Sequence, residues 1–263
     1  MSGNMADSVN KREKAQDPKK GGFSGLSSGA LKIIACVCML IDHITLCFIP
    51  EPDRLKVILD TEEIVWYVGR GIGRSALIIF CFLLVEGFFL TGDYKKYLIR
   101  MLVTAVVSEA AFDLMFKRLN AESFLTNQNV LFSFALGLMI MYVLEFLKDA
   151  YFYKSVVKYS ILAALTCSFG FAAAALLRLD YGMPGIGLIL VFYYFRFRGW
   201  RLVLAVVIWS IVCLFMNHQL EWAGLIALIP IMKFYNGTEG KLPKWFFYIF
   251  YPAHMLVLGL IRL

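Results

Sequence analysis

The stretch that decides the fold is residues 68–90, which read VGRGIGRSALIIFCFLLVEGFFL. From Ser75 to Leu90 its one charged residue is Glu86. A run of this length and character is typical of a transmembrane helix, because about 20 mostly apolar residues span the hydrocarbon core of a bilayer. The sequence therefore predicts that the chain crosses a membrane.

The composition extends this conclusion to the whole chain. Of its 263 residues, 60% are hydrophobic and 17% are charged, whereas soluble domains average about 45–50% apolar and about 25% charged residues. These values exclude a soluble globular domain, a disordered protein and a disulfide scaffold. The net charge of +7 does not indicate a nucleic-acid partner, because membrane proteins concentrate Lys and Arg in their cytoplasmic loops.

The chain divides into a polar tail and one membrane domain. We expect residues 1–30, which are charged and rich in Gly and Ser, to form a disordered cytoplasmic tail. Residues 31–263 are predicted to form a single transmembrane domain of the all-α class, a polytopic membrane helical bundle with about nine transmembrane helices (8–10). The predicted spans lie near residues 31–50, 68–90, 97–116, 128–147, 157–177, 183–197, 200–216, 219–235 and 245–262.

The basic residues predict the orientation of these spans. If the N-terminus is cytoplasmic and the loops alternate, 18 of the 26 Lys and Arg residues fall in inner segments. Cytoplasmic loops of membrane proteins carry such an excess, so this distribution favours an inner N-terminus.

Ionisable side chains within the spans are candidate functional residues, because each costs about 2.5–3.5 kcal/mol at the bilayer centre. Lys32 and His43 are eleven residues apart, which brings them to nearly the same helix face with His43 about 16 Å farther along. His43 is a candidate general base, since imidazole titrates near neutral pH; the alternative is a hydrogen-bonded packing histidine. Neighbouring helical residues do not face each other, so we expect Asp42 to serve another helix.

Two further pairs have i,i+4 spacing. Arg70 and Arg74 can hold the oxygens of a phosphate or a carboxylate, because guanidinium binds oxyanions in a bidentate manner. Glu109 and Asp113 can position a cation or an amine. The alternative for both pairs is that they form ion pairs with each other.

The remaining candidates are isolated polar residues near the ends of spans. Asn129 opens the fourth span, Asp180 precedes the sixth, and His254 in the ninth is a second candidate base or ligand, with packing as its alternative. The spacing of Gly69 and Gly73 predicts close helix packing. The expected depths predict a polar cavity open outward, with a conduit inward: the outer half would hold His43, Arg70, Arg74, Asp113, Asn129, Asp180 and His254, and the inner half Lys32 and Glu86.

No metal site is predicted. The six cysteines form no C-x-x-C pair, and none lies beside a histidine at metal-ligand spacing.

Several of these residues lie in motifs that resemble the TraX family, the conjugal-transfer pilin acetylation proteins. The first are Leu31-Lys32-Ile33-Ile34 and Leu40-Ile41-Asp42-His43. The resemblance spans about residues 31–262 and continues in Gly73-Arg74, FLLVEGF at 82–88, Ser108-Glu109, Phe112-Asp113, Gln128-Asn129-Val130, Asp180-Tyr181-Gly182, Tyr235-Asn236-Gly237 and FYIFYPAH at 247–254.

The TraX family is similar in kind to membrane acyltransferases of the acyltransferase-3 type, which carry a basic residue, ten intervening residues and a His in their first span. Lys32 and His43 fit this spacing, with Lys where Arg is commoner. The resemblance implies an acyltransferase of the bacterial inner membrane. It would move an acetyl group from cytoplasmic acetyl-CoA, its co-substrate, to an amine or hydroxyl at the outer face. The implied acceptor is a pilin-like peptide or a surface polymer, with no nucleic acid involved.

On this interpretation His43 deprotonates the acceptor or is transiently acylated, and Lys32 meets a CoA phosphate near the inner surface. Arg70 and Arg74 would stabilise an oxyanion or bind the acceptor. The other donor- or substrate-binding candidates are Glu109, Asp113, Asn129, Asp180 and His254. Two functions without acyl transfer stay open: a small-solute transporter or flippase, and a non-catalytic membrane assembly partner.

Overall fold

The chain is helical through almost all of the part that the structure describes. The computed structural model describes residues 25–52, 60–117, 127–196, 199–215, 221–243 and 245–263, so most of the predicted tail lies outside the described residues. Within these ranges there is no β-strand, only two isolated bridges, which confirms the all-α prediction. The α-helices are α1 (Ser28–Phe48), α2 (Thr61–Leu90), α3 (Tyr94–Met115), α4 (Val130–Tyr151), α5 (Val156–Leu176), α6 (Gly182–Phe195), α7 (Trp200–Phe215), α8 (Leu228–Phe234), which follows a 3-10 helix (Glu221–Ala227), and α9 (Phe246–Arg262).

The lengths and surfaces of these helices indicate a membrane protein. Helices α1, α2, α4 and α5 are long and apolar enough to cross a bilayer, and α6, α7 and α9 are apolar but shorter. Large apolar side chains point outward, among them Phe169 and Leu176 of α5, which are 72% and 82% exposed. Apolar surface of this kind is unfavourable in water and favourable in lipid. The count of nine spans and the cytoplasmic N-terminus stay predictions.

Capping interactions explain where the second helix begins. Helix α2 begins at Thr61, seven residues before the predicted span. The Glu63 amide donates to Asp60 Oδ1 at 3.0 Å, and the Asp60 amide donates to Glu63 Oε2 at 2.8 Å. This reciprocal capping box stabilises the first turn. Hydropathy alone misses the turn because its residues are polar.

Helices α1 and α2 approach each other closely at two glycines. A Cβ atom at Gly69 would overlap the Thr45 hydroxyl of α1, and one at Gly73 would overlap the Asp42 carboxylate. The absence of side chains at these positions lets the two backbones come together, as the G-x-x-x-G spacing predicts.

The first three helices run in alternating directions. Lys32 near the start of α1, Glu86 near the end of α2 and Arg100 near the start of α3 line one cavity. His43, in the second half of α1, and Arg74, near the middle of α2, line a second cavity. We call these the Lys32 cavity and the His43 cavity, and we name the two ends of the bundle after them.

A buried ion pair ties three elements together at the Lys32 end. Arg196, just after α6, donates through Nε to Glu86 Oε1 and through Nη2 to Glu86 Oε2 at 3.1 Å. Tyr235, the residue after α8, donates through its hydroxyl to Glu86 Oε2 at 3.3 Å. The side chains of Glu86 and Arg196 are each 7% exposed. This network therefore fixes the ends of α2, α6 and α8 relative to one another.

Candidate functional site

The His43 cavity collects four of the residues that the sequence singled out. His43, Arg70, Arg74 and Asp180 all line it, together with apolar side chains from α1 to α6. Its volume of about 680 Å³ falls within the roughly 300–1,000 Å³ of ligand-binding cavities. A cavity with a few convergent polar groups on apolar walls has the composition of a small-molecule binding site.

His43 is hydrogen-bonded to a second histidine from the far end of the sequence. Its Nδ1 atom lies 2.8 Å from Nε2 of His254. His254 is buried in α9, 7% exposed, and its Nδ1 lies 2.9 Å from the Phe250 carbonyl oxygen. His43 belongs to the cavity wall and His254 lies behind it. Sequence reasoning proposed each histidine separately and had no signal for their contact.

Arg70 is fixed by a buried ion pair. Its Nη1 atom donates to Asp42 Oδ1 at 2.5 Å, and the two side chains are 11% and 7% exposed. This confirms the prediction that Asp42 serves another helix. Arg70 thus pairs with α1, and not with Glu109 or Asp113 as the alternative interpretation of its spacing had it.

Arg74 contacts the connection between α5 and α6. Its Nη1 donates to the Tyr181 hydroxyl at 2.6 Å, and its Cζ lies 5.2 Å from the centre of the Tyr181 ring. Tyr181 adopts a left-handed backbone conformation, with φ of 58°, which is uncommon for a residue other than glycine. The contact holds a guanidinium group in the wall of the His43 cavity.

Asp180 contributes a carboxyl group from the same connection. Desolvation at this partly buried position raises the pKa of Asp180 to about 6, and the nearby Arg74 acts in the opposite direction. Its Oδ1 accepts the Tyr181 amide at 3.1 Å, and its carbonyl oxygen accepts the Ser133 hydroxyl at 2.6 Å. The charge of the cavity wall therefore changes across mildly acidic pH.

The Lys32 cavity is smaller, about 240 Å³, and carries two basic groups, Lys32 and Arg100, beside the acidic Glu86 and Glu239. The sequence singled out Lys32 but not Arg100, which lies close to Lys95 and Lys96 near the start of α3. Nothing in the local spacing distinguishes these three residues. Which of them faces the cavity is set by the packing of α3 against the rest of the bundle.

Two aromatic side chains separate the two cavities. Phe80 of α2 and Phe134 of α4 belong to the walls of both cavities, and their ring centroids are 6.4 Å apart. Phe247 of α9 lines the Lys32 cavity and lies 4.8 Å from Phe80, centroid to centroid. The single cavity with an inward conduit that the sequence predicted is therefore two cavities with a common aromatic wall.

Three candidates, Asn129, Glu109 and Asp113, lie outside the described lining of either cavity. Asn129 donates through Nδ2 to Glu109 Oε2 and to the Ala105 carbonyl at 2.8 Å, and its Oδ1 accepts the Leu131 amide at 3.1 Å. Asn129 thereby caps α4 and joins it to α3. Glu109 and Asp113 are each 3% exposed. Substrate binding by these three residues stays a prediction.

No metal site is apparent in the part of the chain that the structure describes, where no three His, Cys, Asp or Glu side chains group so as to hold an ion. Acetyl-CoA as co-substrate stays a prediction.

Comparison with known proteins identifies similar chains. A family model described as TraX protein matches residues 27–262. A curated relative from Dichelobacter nodosus, described as "Probable fimbrial assembly protein FimC, serogroup H1", is 28% identical over 240 residues, which cover 88% of this chain and 94% of the relative. No solved structure matches the chain significantly.

Proposed function

Because the chain belongs to the TraX family, we propose that it is a membrane acyltransferase that modifies a component of a pilus or another surface structure. The donor is the thioester of acetyl-CoA, and the acceptor is an amine or hydroxyl, such as the N-terminus of a pilin-like peptide. The observation that carries this proposal is an imidazole, His43, in the wall of a cavity large enough for a peptide terminus. The fimbrial assembly protein to which the chain is similar supports a pilus-related acceptor.

The His43 cavity contains the groups that direct acyl transfer needs. The acceptor N–H or O–H donates its proton to His43 as the acceptor atom bonds to the thioester carbon. The carbon–sulfur bond then breaks, and the leaving thiolate takes the proton back from His43. Negative charge on the thioester oxygen is stabilised by Arg70 or Arg74, which line the same cavity.

The Lys32 cavity is suited to the nucleotide part of the donor. Lys32 and Arg100 line it, and their cationic groups can bind phosphate oxygens. Helical rise puts Lys32 about 16 Å from His43, a distance suited to the extended pantetheine arm of CoA. The arm would pass beside the rings of Phe80 and Phe134, and the Lys32 end would face the cytoplasm, where acetyl-CoA is present.

The test is thiol release from acetyl-CoA by the detergent-purified protein, with an envelope extract as the source of acceptor. We expect His43→Ala to lower the rate by at least about 100-fold, the lower range for general acid–base catalysis. Ile44→Ala is the matched control, because Ile44 is the next residue in α1 and is 42% exposed. Labelled acetyl groups would then identify the acceptor. A folded His43→Ala protein with full activity would contradict the proposal.

The same experiment separates acyl transfer from the other functions. A non-catalytic assembly partner, which the description of the D. nodosus relative also fits, releases no thiol. A transporter or flippase moves solute without consuming thioester. Absence of thiol release from the folded parent protein, with acceptor extract present, would favour these alternatives.

A further inference from the structure

The hydrogen bonds of His254 determine which of its nitrogens carries the proton. The Phe250 carbonyl oxygen, 2.9 Å from His254 Nδ1, can only accept a hydrogen bond. His254 Nδ1 must therefore be the donor. In a neutral imidazole the other nitrogen is then an acceptor, so His254 Nε2 presents a lone pair to His43.

The same reasoning extends to His43. Since His254 Nε2 accepts, the His43 Nδ1 atom, 2.8 Å away, must carry the proton. The two ring planes are within 7° of parallel and their centroids are 5.0 Å apart. With a 2.8 Å separation between the nitrogens, this geometry means that the rings lie edge to edge, with the lone pair of His254 in the plane of the His43 ring. His43 Nε2 is thereby left unprotonated.

We propose that His254 is a positioning residue that holds His43 in its Nδ1-protonated tautomer, so that His43 Nε2 is the nitrogen that receives the acceptor's proton. This inference rests on the proposed function and adds a role for His254 other than binding substrate. His254 fulfils it through His43, because His254 does not line the His43 cavity as described.

The chain of donors and acceptors also shows what happens when His43 takes up a proton. The acceptor's proton bonds to His43 Nε2, and the resulting imidazolium keeps its Nδ1 proton in the hydrogen bond to His254 Nε2. The hydrogen bond to His254 thus stabilises the positive charge on His43, and His254 in turn donates to the Phe250 carbonyl oxygen. When the proton returns to the leaving thiolate, the dyad regains its starting tautomer with no net loss of protons.

Two amide substitutions at position 254 separate positioning from packing. The amide of His254→Gln reaches the position of the imidazole Nε2 and can accept from His43, whereas the amide of His254→Asn reaches only the position of Nδ1. His254→Leu fills the space without any polar atom. We expect His254→Gln to keep kcat within about tenfold of the parent, and the Asn and Leu variants to lose about 100-fold with little change in KM for acetyl-CoA. A packing role would make Leu at least as good as Gln, which would overturn the inference.

A second measurement does not depend on acyl transfer. The chain has three histidines, so a His218→Gln protein with ¹⁵N-labelled imidazoles reports on His43 and His254 alone. We expect both rings to be protonated at Nδ1 and unprotonated at Nε2. Protonation of His43 at Nε2 would overturn the inference even if the protein is an acyltransferase. The expected tautomers in a parent protein that releases no thiol would instead refute the proposed function and leave the geometry of the dyad intact.

Discussion

The rings of Phe80 and Phe134 lie 6.4 Å apart, centroid to centroid, and each forms part of the wall of both cavities. Phe80 is 8% exposed and Phe134 is 3% exposed, so both rings are held by the surrounding helices. On the proposed function, a donor that enters through the Lys32 cavity would pass these rings to bring its thioester to His43. If the protein is an acyltransferase as proposed, we expect these side chains to limit the size of the transferred acyl group.

Replacing either phenylalanine by a smaller residue is expected to let the protein accept longer acyl donors. Phe80→Leu and Phe134→Leu should raise the rate of thiol release from hexanoyl-CoA relative to acetyl-CoA by about tenfold, since even one methylene that a pocket must accommodate changes discrimination by about 10–200-fold. Leu is preferred to Ala because removing a buried Phe completely costs about 3–5 kcal/mol of stability.

Phe169→Leu is the matched control for acyl selectivity, because Phe169 is 72% exposed on α5. An unchanged ratio of hexanoyl to acetyl transfer in both folded cavity variants would show that the acyl arm does not pass beside these rings.

The Glu86–Arg196 pair is expected to contribute strongly to stability. Glu86→Met leaves the guanidinium of Arg196 buried without its carboxylate partner, and such a loss costs about 3–5 kcal/mol. The expected result is a clear fall in the midpoint of thermal unfolding in detergent. The Glu86→Met/Arg196→Met double variant should lose less than the sum of the single variants, because neither charge is then buried alone.

Lys96→Met is the matched control for this pair. Lys96 pairs with Asp93 at 3.1 Å, but its side chain is 75% exposed, and exposed pairs contribute only about 0–1 kcal/mol. Equal losses of thermal stability in the Lys96 and Glu86 variants would show that burial does not determine the strength of the Glu86–Arg196 pair.

Local signals in the sequence predicted most of the helices, but not the contacts that build the site. Apolar runs placed α4 to α7 to within a few residues. The eleven-residue spacing predicted that Lys32 and His43 share a face of α1, and in the structure each of them lines a different cavity. The contact between His43 and His254 joins residues 211 positions apart. No periodicity within one helix determines which face of α9 meets α1.

Gly73 offers a test of the close approach between α1 and α2. In Gly73→Ala the added Cβ would overlap the Asp42 carboxylate, so either the helices separate or Asp42 moves away from Arg70. Overpacking of this kind costs about 1–3 kcal/mol, although Ala favours a helix by about 1 kcal/mol over Gly. We expect a net loss of thermal stability that exceeds that of Ile72→Ala, whose parent residue is 38% exposed. A Gly73→Ala protein as stable as the parent would contradict the close packing.

Asp180 makes stability depend on pH with a defined sign. Burial raises its pKa from 3.8 to about 6 in the folded protein, so the folded state binds the proton more tightly than the unfolded state. The favourable contribution of the protonated carboxyl is complete below pH 4 and is lost as the pH rises through 6. Asp180→Asn keeps an oxygen that can accept the Tyr181 amide but cannot ionise. Its free energy of unfolding, measured relative to that of the parent, should therefore rise by about 2 kcal/mol between pH 4 and pH 7, because each unit of pKa shift corresponds to about 1.4 kcal/mol. A difference between the two proteins that is constant across this range would show that Asp180 titrates normally in the folded state.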